Sequence, residues 1–228
     1  MNNLKQGTDD MLKKKYTTIL FDLDGTLIDS KPGILASMRK TLNAYSIPFT
    51  EGIIDQMVGP PIRVSFKELL GITDIPLMED MILYYRKHYK AGDWRDCKVY
   101  DGAVEMLENL KAKGYTLGIA TSKPLQYTTI IMEELGLDKY FDFIGGATGD
   151  SSIELKTDVI NSVLAGLNVT DLSSVLMIGD RLYDIEGAKA SGVDSMGILW
   201  GYGDRAEHEK YGADYIVSTP SEVVWLLS

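Results

Sequence analysis

Cysteine is almost missing from this 228-residue sequence: Cys97 stands alone. No disulfide can form within the chain, and a reducing, cytoplasmic setting fits. Cys97 therefore reads as a small apolar side chain. Histidine is nearly as scarce, with only His88 in "YYRKHYK" and His208 in "DRAEHEK". Both stand in charged runs and read as surface residues. Proton transfers then fall to carboxylates or lysine, and no Cys–His cluster exists to hold zinc. Long apolar runs are also missing, so no segment is expected to span a bilayer. The start, "MNNLKQGTDDMLKKKY", lacks the apolar core of a secretory signal; residues 1–15 read as a polar tail. Basic charge is in deficit, at 23 Lys and Arg against 33 Asp and Glu. The net charge of -10 argues against nucleic acid or an anionic membrane as partner. It leaves room for a small anionic substrate, because exposed charges are screened beyond about 8 Å at physiological salt and a local cationic pocket can prevail. A monomer is the default expectation.

What is present looks like an ordinary globular mix, 45% hydrophobic and 25% charged. "ILFDLDGTLIDS" (19–30) opens as a buried strand and stops on two carboxylates, Asp22 and Asp24. Three segments at helical spacing follow, over 32–46, 62–70 and 76–90, with no strand between Lys31 and Trp94. From Tyr100 apolar strands alternate with amphipathic helices to the end of the chain. That alternation predicts an α/β fold, a parallel sheet covered on both faces. The helical block interrupts it just after the first strand. The expected layout is a core from 16–30 and 99–228 with a small helical cap inserted over 31–98.

Ligands of open α/β sheets bind beyond the carboxyl ends of the strands. Collected at those ends are Asp22 and Asp24, then Thr121 and Ser122, then Asp180 with Asp184 in the following turn. Lys156 stands just before a helix. Residues i and i+2 on a strand point the same way, so Asp22 and Asp24 can face one site with backbones about 6–7 Å apart. Asp180 would add a third carboxylate, and such crowding calls for a cation. Oxygen ligands alone suit Mg²⁺, which also accepts a substrate phosphate oxygen. Lysine and hydroxyl donors beside it would suit a transferring phosphoryl group. One carboxylate can attack phosphorus while the other moves the proton. Each residue has a bland reading as well. Asp24–Gly25 could be a plain turn, Thr121 a helix cap, Lys156 a solvated lysine, and Asp184 a partner of Arg181 or a cap.

"DLDGT", "ATSK", "ELK" and "GDRLYD", in this order and on these elements, resemble the four motifs of the haloacid dehalogenase superfamily. The resemblance runs from about Tyr16 to the end, and the helical block stands where that superfamily carries a small cap over its Rossmann-like core. It implies Asp22 as nucleophile and metal ligand. Asp24 becomes general acid/base, bound to metal through its backbone carbonyl. Thr121, with the backbone of Ser122 and Gly25, would hold the phosphoryl group; Lys156 would neutralise Asp22, Asp180 would ligate Mg²⁺, and Asp184 would support the metal's water shell. Asp24 marks phosphoryl chemistry, since a departing halide needs no proton. "MVGPPIRVSF" and "GILWGYGDRAE" look most like phosphoglycolate phosphatases, or related 5′-nucleotidases and pyrophosphatases. The implied activity is hydrolysis of a small phosphorylated metabolite through an aspartyl-phosphate. A β-phosphoglucomutase-like mutase would carry a cap histidine near Ile34, and none is there. A receiver-type signalling domain would be about half this length and without the insertion. Arg63 is the cap residue expected to reach the substrate, and Gly59–Pro60–Pro61 is expected to make a rigid turn toward the cleft.

Overall fold

The computed structural model describes residues 15–60, 62–148, 153 and 155–228. The tail expected over 1–15 thus lies almost wholly outside the described residues, as do Pro61 of the expected turn and Glu154 of "ELK". The chain enters through β1 (Thr18–Phe21) and a short β2 (Ile28–Asp29). Four helices follow: α1 (Lys31–Ala44), α2 (Glu51–Gln56), α3 (Ile62–Leu70) and α4 (Ile75–Ala91). The short β3 (Lys98–Val99) then pairs antiparallel with β2. From there strands and helices alternate: α5 (Ala103–Ala112), β4 (Thr116–Pro124), α6 (Leu125–Glu134), β5 (Phe143–Ala147), α7 (Lys156–Gly166) and β6 (Val175–Gly179). α8 (Leu182–Ser191), β7 (Asp194–Ile198), α9 (Arg205–Tyr211), β8 (Tyr215–Val217) and α10 (Pro220–Leu226) complete it.

Six strands form one parallel sheet in the order β5-β4-β1-β6-β7-β8. Side chains alternate between its faces. Ile19 and Phe21 join Leu117, Ile119 and Ile178 under α5, α6 and α10, while Leu20 joins Ala120 and Met177 under α7 and α8. Both faces are covered, which is why β1 reads as an unbroken apolar run rather than an alternating one. The strand order reverses at β1, flanked by β4 and β6. The carboxyl ends of these three strands therefore meet at one rim, the crevice in which doubly wound folds bind ligands.

The inserted helices have a core of their own around Leu42, Ile54, Phe66, Met81 and Ile82. Thr50 caps α2 by accepting from Ile53 N–H, and Asp74 caps α4 by accepting from Leu77 N–H. The insertion is also stitched to the main core, since Tyr89 and Trp94 are buried in the cluster that holds Phe21 and Ile119. The expected absence of strands from 31 to 94 is matched by the described residues. Not foreseen were α2, too short for a period to register, and the two-residue β2–β3 ribbon.

His208 corrects the sequence reading. It is fully buried, its Nε2 2.9 Å from the Ile198 carbonyl oxygen. Gly197 makes room: a Cβ there would lie 2.5 Å from the imidazole ring. The charged neighbours Glu207 and Glu209 mask a position that faces β7. Cys97 is half-buried against the main core, as expected of a small apolar side chain, and burial pushes its thiol up.

Candidate active site

β1 ends at Phe21, and the Asp22 N–H still donates to Ile178 O on β6 at 2.9 Å. This late rung holds the Asp22 backbone against the neighbouring strand before the chain turns. The turn is built by Leu23 O, which accepts from Thr26, Leu27 and Ile28, and it points Asp24 back across the rim. Lys156, the first residue of α7, places Nζ 2.7 Å from Asp22 Oδ1, 2.9 Å from Ala120 O and 2.7 Å from Asp184 Oδ1. The bland reading of Lys156 as a solvated lysine fails: it is buried, hydrogen-bonded to Asp22 and Ala120 and ion-paired with Asp184. Asp180 follows β6 and is fully buried; its Oδ2 accepts from Tyr202 N–H at 2.7 Å and its Oδ1 from Thr26 Oγ1 at 3.4 Å. Asp184 Oδ2 accepts the Arg181 N–H at 3.0 Å, capping α8. Asp184 therefore serves as the cap foreseen for it and also joins the cluster.

Charge is out of balance here. Asp22, Asp180 and Asp184 each bring an oxygen within 4.8 Å of the others, against one lysine. Burial, then Asp184 and Asp24, push the Asp22 carboxyl up to about 6, although Lys156 opposes this. Burial, then the Asp184 and Asp22 carboxylates, hold Asp180 well above the usual carboxylate range. Burial works to lower Lys156, but Asp184 and Asp22 outweigh it and raise the lysine, keeping it charged. Protons thus stand in for missing positive charge. The Asp184 Oδ1 lies at ion-pair distance from Lys156 but accepts no aligned hydrogen bond. An all-oxygen, buried, under-neutralised donor set fits a hard divalent cation, which would displace those protons. Asp184, expected only to support the metal's water shell, brings a carboxylate oxygen into the cluster itself, while the Asp24 side chain, never expected as a ligand, turns to another partner.

Its partner is Lys123, which sequence reasoning passed over. Lys123 Nζ lies 2.8 and 2.7 Å from the two Asp24 oxygens. Thr121 is buried at the rim, its Oγ1 accepting from Lys123 N–H at 3.2 Å, and Ser122 is exposed beside it. A register shift between Thr121 and Pro124 carries these residues off the regular strand. Gly25 has φ +81, and a Cβ on it would lie 2.3 Å from Asp180 Oδ2. Only glycine lets the two motifs approach this closely.

A pocket of about 510 Å³ lies between the inserted helices and the core, lined by Lys31, Val58, Pro60, Ser65, Arg181 and Tyr202 among others; it adjoins the site through Arg181 and Tyr202, and none of the rim carboxylates lines it. Arg181 donates from NH1 to Val58 O at 2.9 Å and from Nε to Glu207 Oε1 at 2.9 Å, so it spans from core to insertion. Arg63 is held differently: its Nε and NH2 donate to Glu79 at 2.9 and 2.8 Å, within the insertion. Trp200 donates Nε1–H to Thr26 O at 2.9 Å and braces the turn.

Comparison with known proteins bears on the family and the fold. Residues 19–198 match the family model described as "Haloacid dehalogenase-like hydrolase". A tyrosine-protein kinase PtkA of Mycobacterium tuberculosis is 36% identical over 90% of this chain and 67% of its own. A 5′-nucleotidase of Pseudomonas aeruginosa is 32% identical, over 85% of this chain and 87% of its own. A phosphoglycolate phosphatase of Colwellia psychrerythraea is 31% identical over 94% and 98%. The crystal structure of a predicted phosphatase from Clostridium acetobutylicum superposes with a TM-score of 0.87 at 38% identity, covering 92% of this chain and 96% of that one.

Proposed function

This chain belongs to the haloacid dehalogenase-like hydrolases and is a phosphatase, and from that premise we propose that it hydrolyses a small phosphorylated metabolite through an aspartyl-phosphate on Asp22. The observation that carries this reading is the seat of Asp22, paired with Lys156 and within reach of Asp180 and Asp184, with Asp24 across the rim. Mg²⁺ is the proposed cation; Asp22 and Asp180 would hold it, with Asp184 beside them, and the family resemblance would add the Asp24 backbone carbonyl. When bound it supplies positive charge against the carboxylates and the phosphoryl oxygens.

The chain's own groups divide the work. Asp22 attacks phosphorus, and Lys156 keeps its carboxylate oriented and offsets charge on the phosphoryl oxygens. Thr121 keeps a hydroxyl hydrogen to give to a phosphoryl oxygen, since its lone pair already accepts from Lys123. The Ser122 N–H supplies a further donor, whereas the Gly25 N–H expected beside it is already given to Ile28 O at 2.8 Å within the turn. Asp24 protonates the departing oxygen, then deprotonates the water that frees phosphate from Asp22.

The pocket beside Tyr202 offers room for the leaving group. A phosphoglycolate-like ester is the first choice, and a nucleotide or pyrophosphate the second, each supported by the names of relatives. Arg63 reaches such a substrate only by leaving Glu79. The cytoplasm is the proposed location, and among the described residues no helix is long and apolar enough to cross a membrane.

A panel of phosphate esters, ranked by kcat/KM with and without Mg²⁺, tests the reading. Asp22→Asn is expected to lose at least about 10⁴-fold in kcat, as removal of a nucleophile does. Substantial turnover by that variant would exclude the phosphoenzyme. ATP with a tyrosyl peptide belongs in the panel because of the kinase-named relatives; transfer to the peptide outpacing hydrolysis would reverse the assignment.

A further inference from the structure

Lys123 is a poor candidate for mere packing. It is buried at the end of β4, where the strand slips register, and a buried ammonium persists only when paired. Its Nζ holds both oxygens of Asp24, at 2.8 and 2.7 Å. Its other side is closed by the ring of Tyr89, 5.1 Å away, on α4 of the inserted helices. Tyr89 in turn stacks on Tyr85 and meets Tyr127 of the core edge-on. One nitrogen nearly equidistant from both oxygens fixes the direction in which the carboxylate points, not just its charge balance. Asp24 itself stands past the end of β1 on a turn, held there by an isolated bridge to Ile28 rather than by a continuous strand.

We propose that Lys123 is a positioning residue that aims the Asp24 carboxylate at the leaving-group oxygen, and that Tyr89 makes this grip depend on how the inserted helices are seated. The proposal rests on Asp24 as proton carrier. In the first step the bond between phosphorus and the leaving oxygen breaks as Asp22 bonds to phosphorus, and the Asp24 proton goes to the departing oxygen. In the second, Asp24 takes a proton from water as that water bonds to phosphorus and the bond to Asp22 breaks. Both transfers need the carboxylate aimed along the line of the displaced bond.

p-Nitrophenyl phosphate separates the steps, because its phenolate departs without a proton. In Lys123→Met, kcat/KM for an alkyl phosphate is expected to fall about 100-fold, against less than about 3-fold for p-nitrophenyl phosphate, the usual span of general acid–base catalysis. A burst of nitrophenol close to one per enzyme should precede slow turnover, since the second step still needs an aimed base. Lys123→Arg should restore part of the alkyl activity. Tyr89→Leu should move in the same direction by less. Equal losses on both substrates without a burst, or no loss on either, would overturn the proposal. If Lys123→Met does not fold, as its melting curve would reveal, Lys123→Gln keeps one donor and carries the same comparison at smaller size. Asp24→Asn is the control: should it show no dependence on the leaving group, the role of Asp24 falls and this proposal with it, whereas a split in Asp24→Asn absent from Lys123→Met sinks the positioning alone.

Discussion

Gly25 shows how much of the site depends on a missing atom. Its φ of +81 and the 2.3 Å approach of Asp180 Oδ2 to a notional Cβ leave no place for alanine. Gly25→Ala is expected to destabilise the fold by about 1–3 kcal/mol through backbone strain. Turnover should fall further than stability does, because Asp180 must shift. Thermal unfolding and a Mg²⁺ titration of activity would check this; wild-type metal affinity in the variant would contradict it. Single residues also set the limit of what the sequence discloses. Asp22, Asp24 and Asp180 stand out because each halts an apolar run at the end of a buried strand. Lys123 does not, since lysine is solvated by default and its burial comes from β4, Asp24 and Tyr89 meeting in space. His208 misleads for the converse reason, its charged neighbours hiding a face that meets a glycine.

At the scale of elements, alternation of apolar strands with helices discloses the sheet, and the convergence of β1, β4 and β6 follows once their order is known. The contact between core and insertion is a different matter. One part of it is made by an arginine just after β6 and a backbone carbonyl before α3, and no periodicity marks either. Gly59 has φ +105, and a Cβ there would lie 2.1 Å from Arg181 NH1. Gly59→Ala should therefore break the Arg181 bond to Val58 O and loosen the seat of the helices. Amide exchange through residues 54–58 is expected to accelerate about tenfold or more, equivalent to at least about 1.4 kcal/mol of local stability. Unchanged exchange would show that Arg181 is no latch.

For the whole molecule, protons and the proposed metal would compete for one buried cluster. Without metal, Asp22 keeps its proton to about pH 6, above its ordinary 3.8. The folded state then binds more protons than the unfolded chain across that window. This contribution to stability is complete below the ordinary value and lost as pH rises through about 6. Metal binding requires the carboxylate and reverses the trend. Saturating Mg²⁺ should raise the melting temperature by roughly 5–10 °C near pH 7.5, for a gain of about 2.7 kcal/mol at a hundredfold excess over Kd, and hardly at all near pH 5. Scanning calorimetry at the two pH values checks this, and equal gains would remove Asp22 from the competition.

The β2–β3 ribbon has a consequence for descent. Asp29 and Lys98 are direct partners in it, so the chain leaves for the helices and returns from them through a single doorway. A foreign segment grafted between those two points would find its ends already side by side, whatever its length. Bond-breaking and the choice of what is broken can then diverge on separate stretches of the gene.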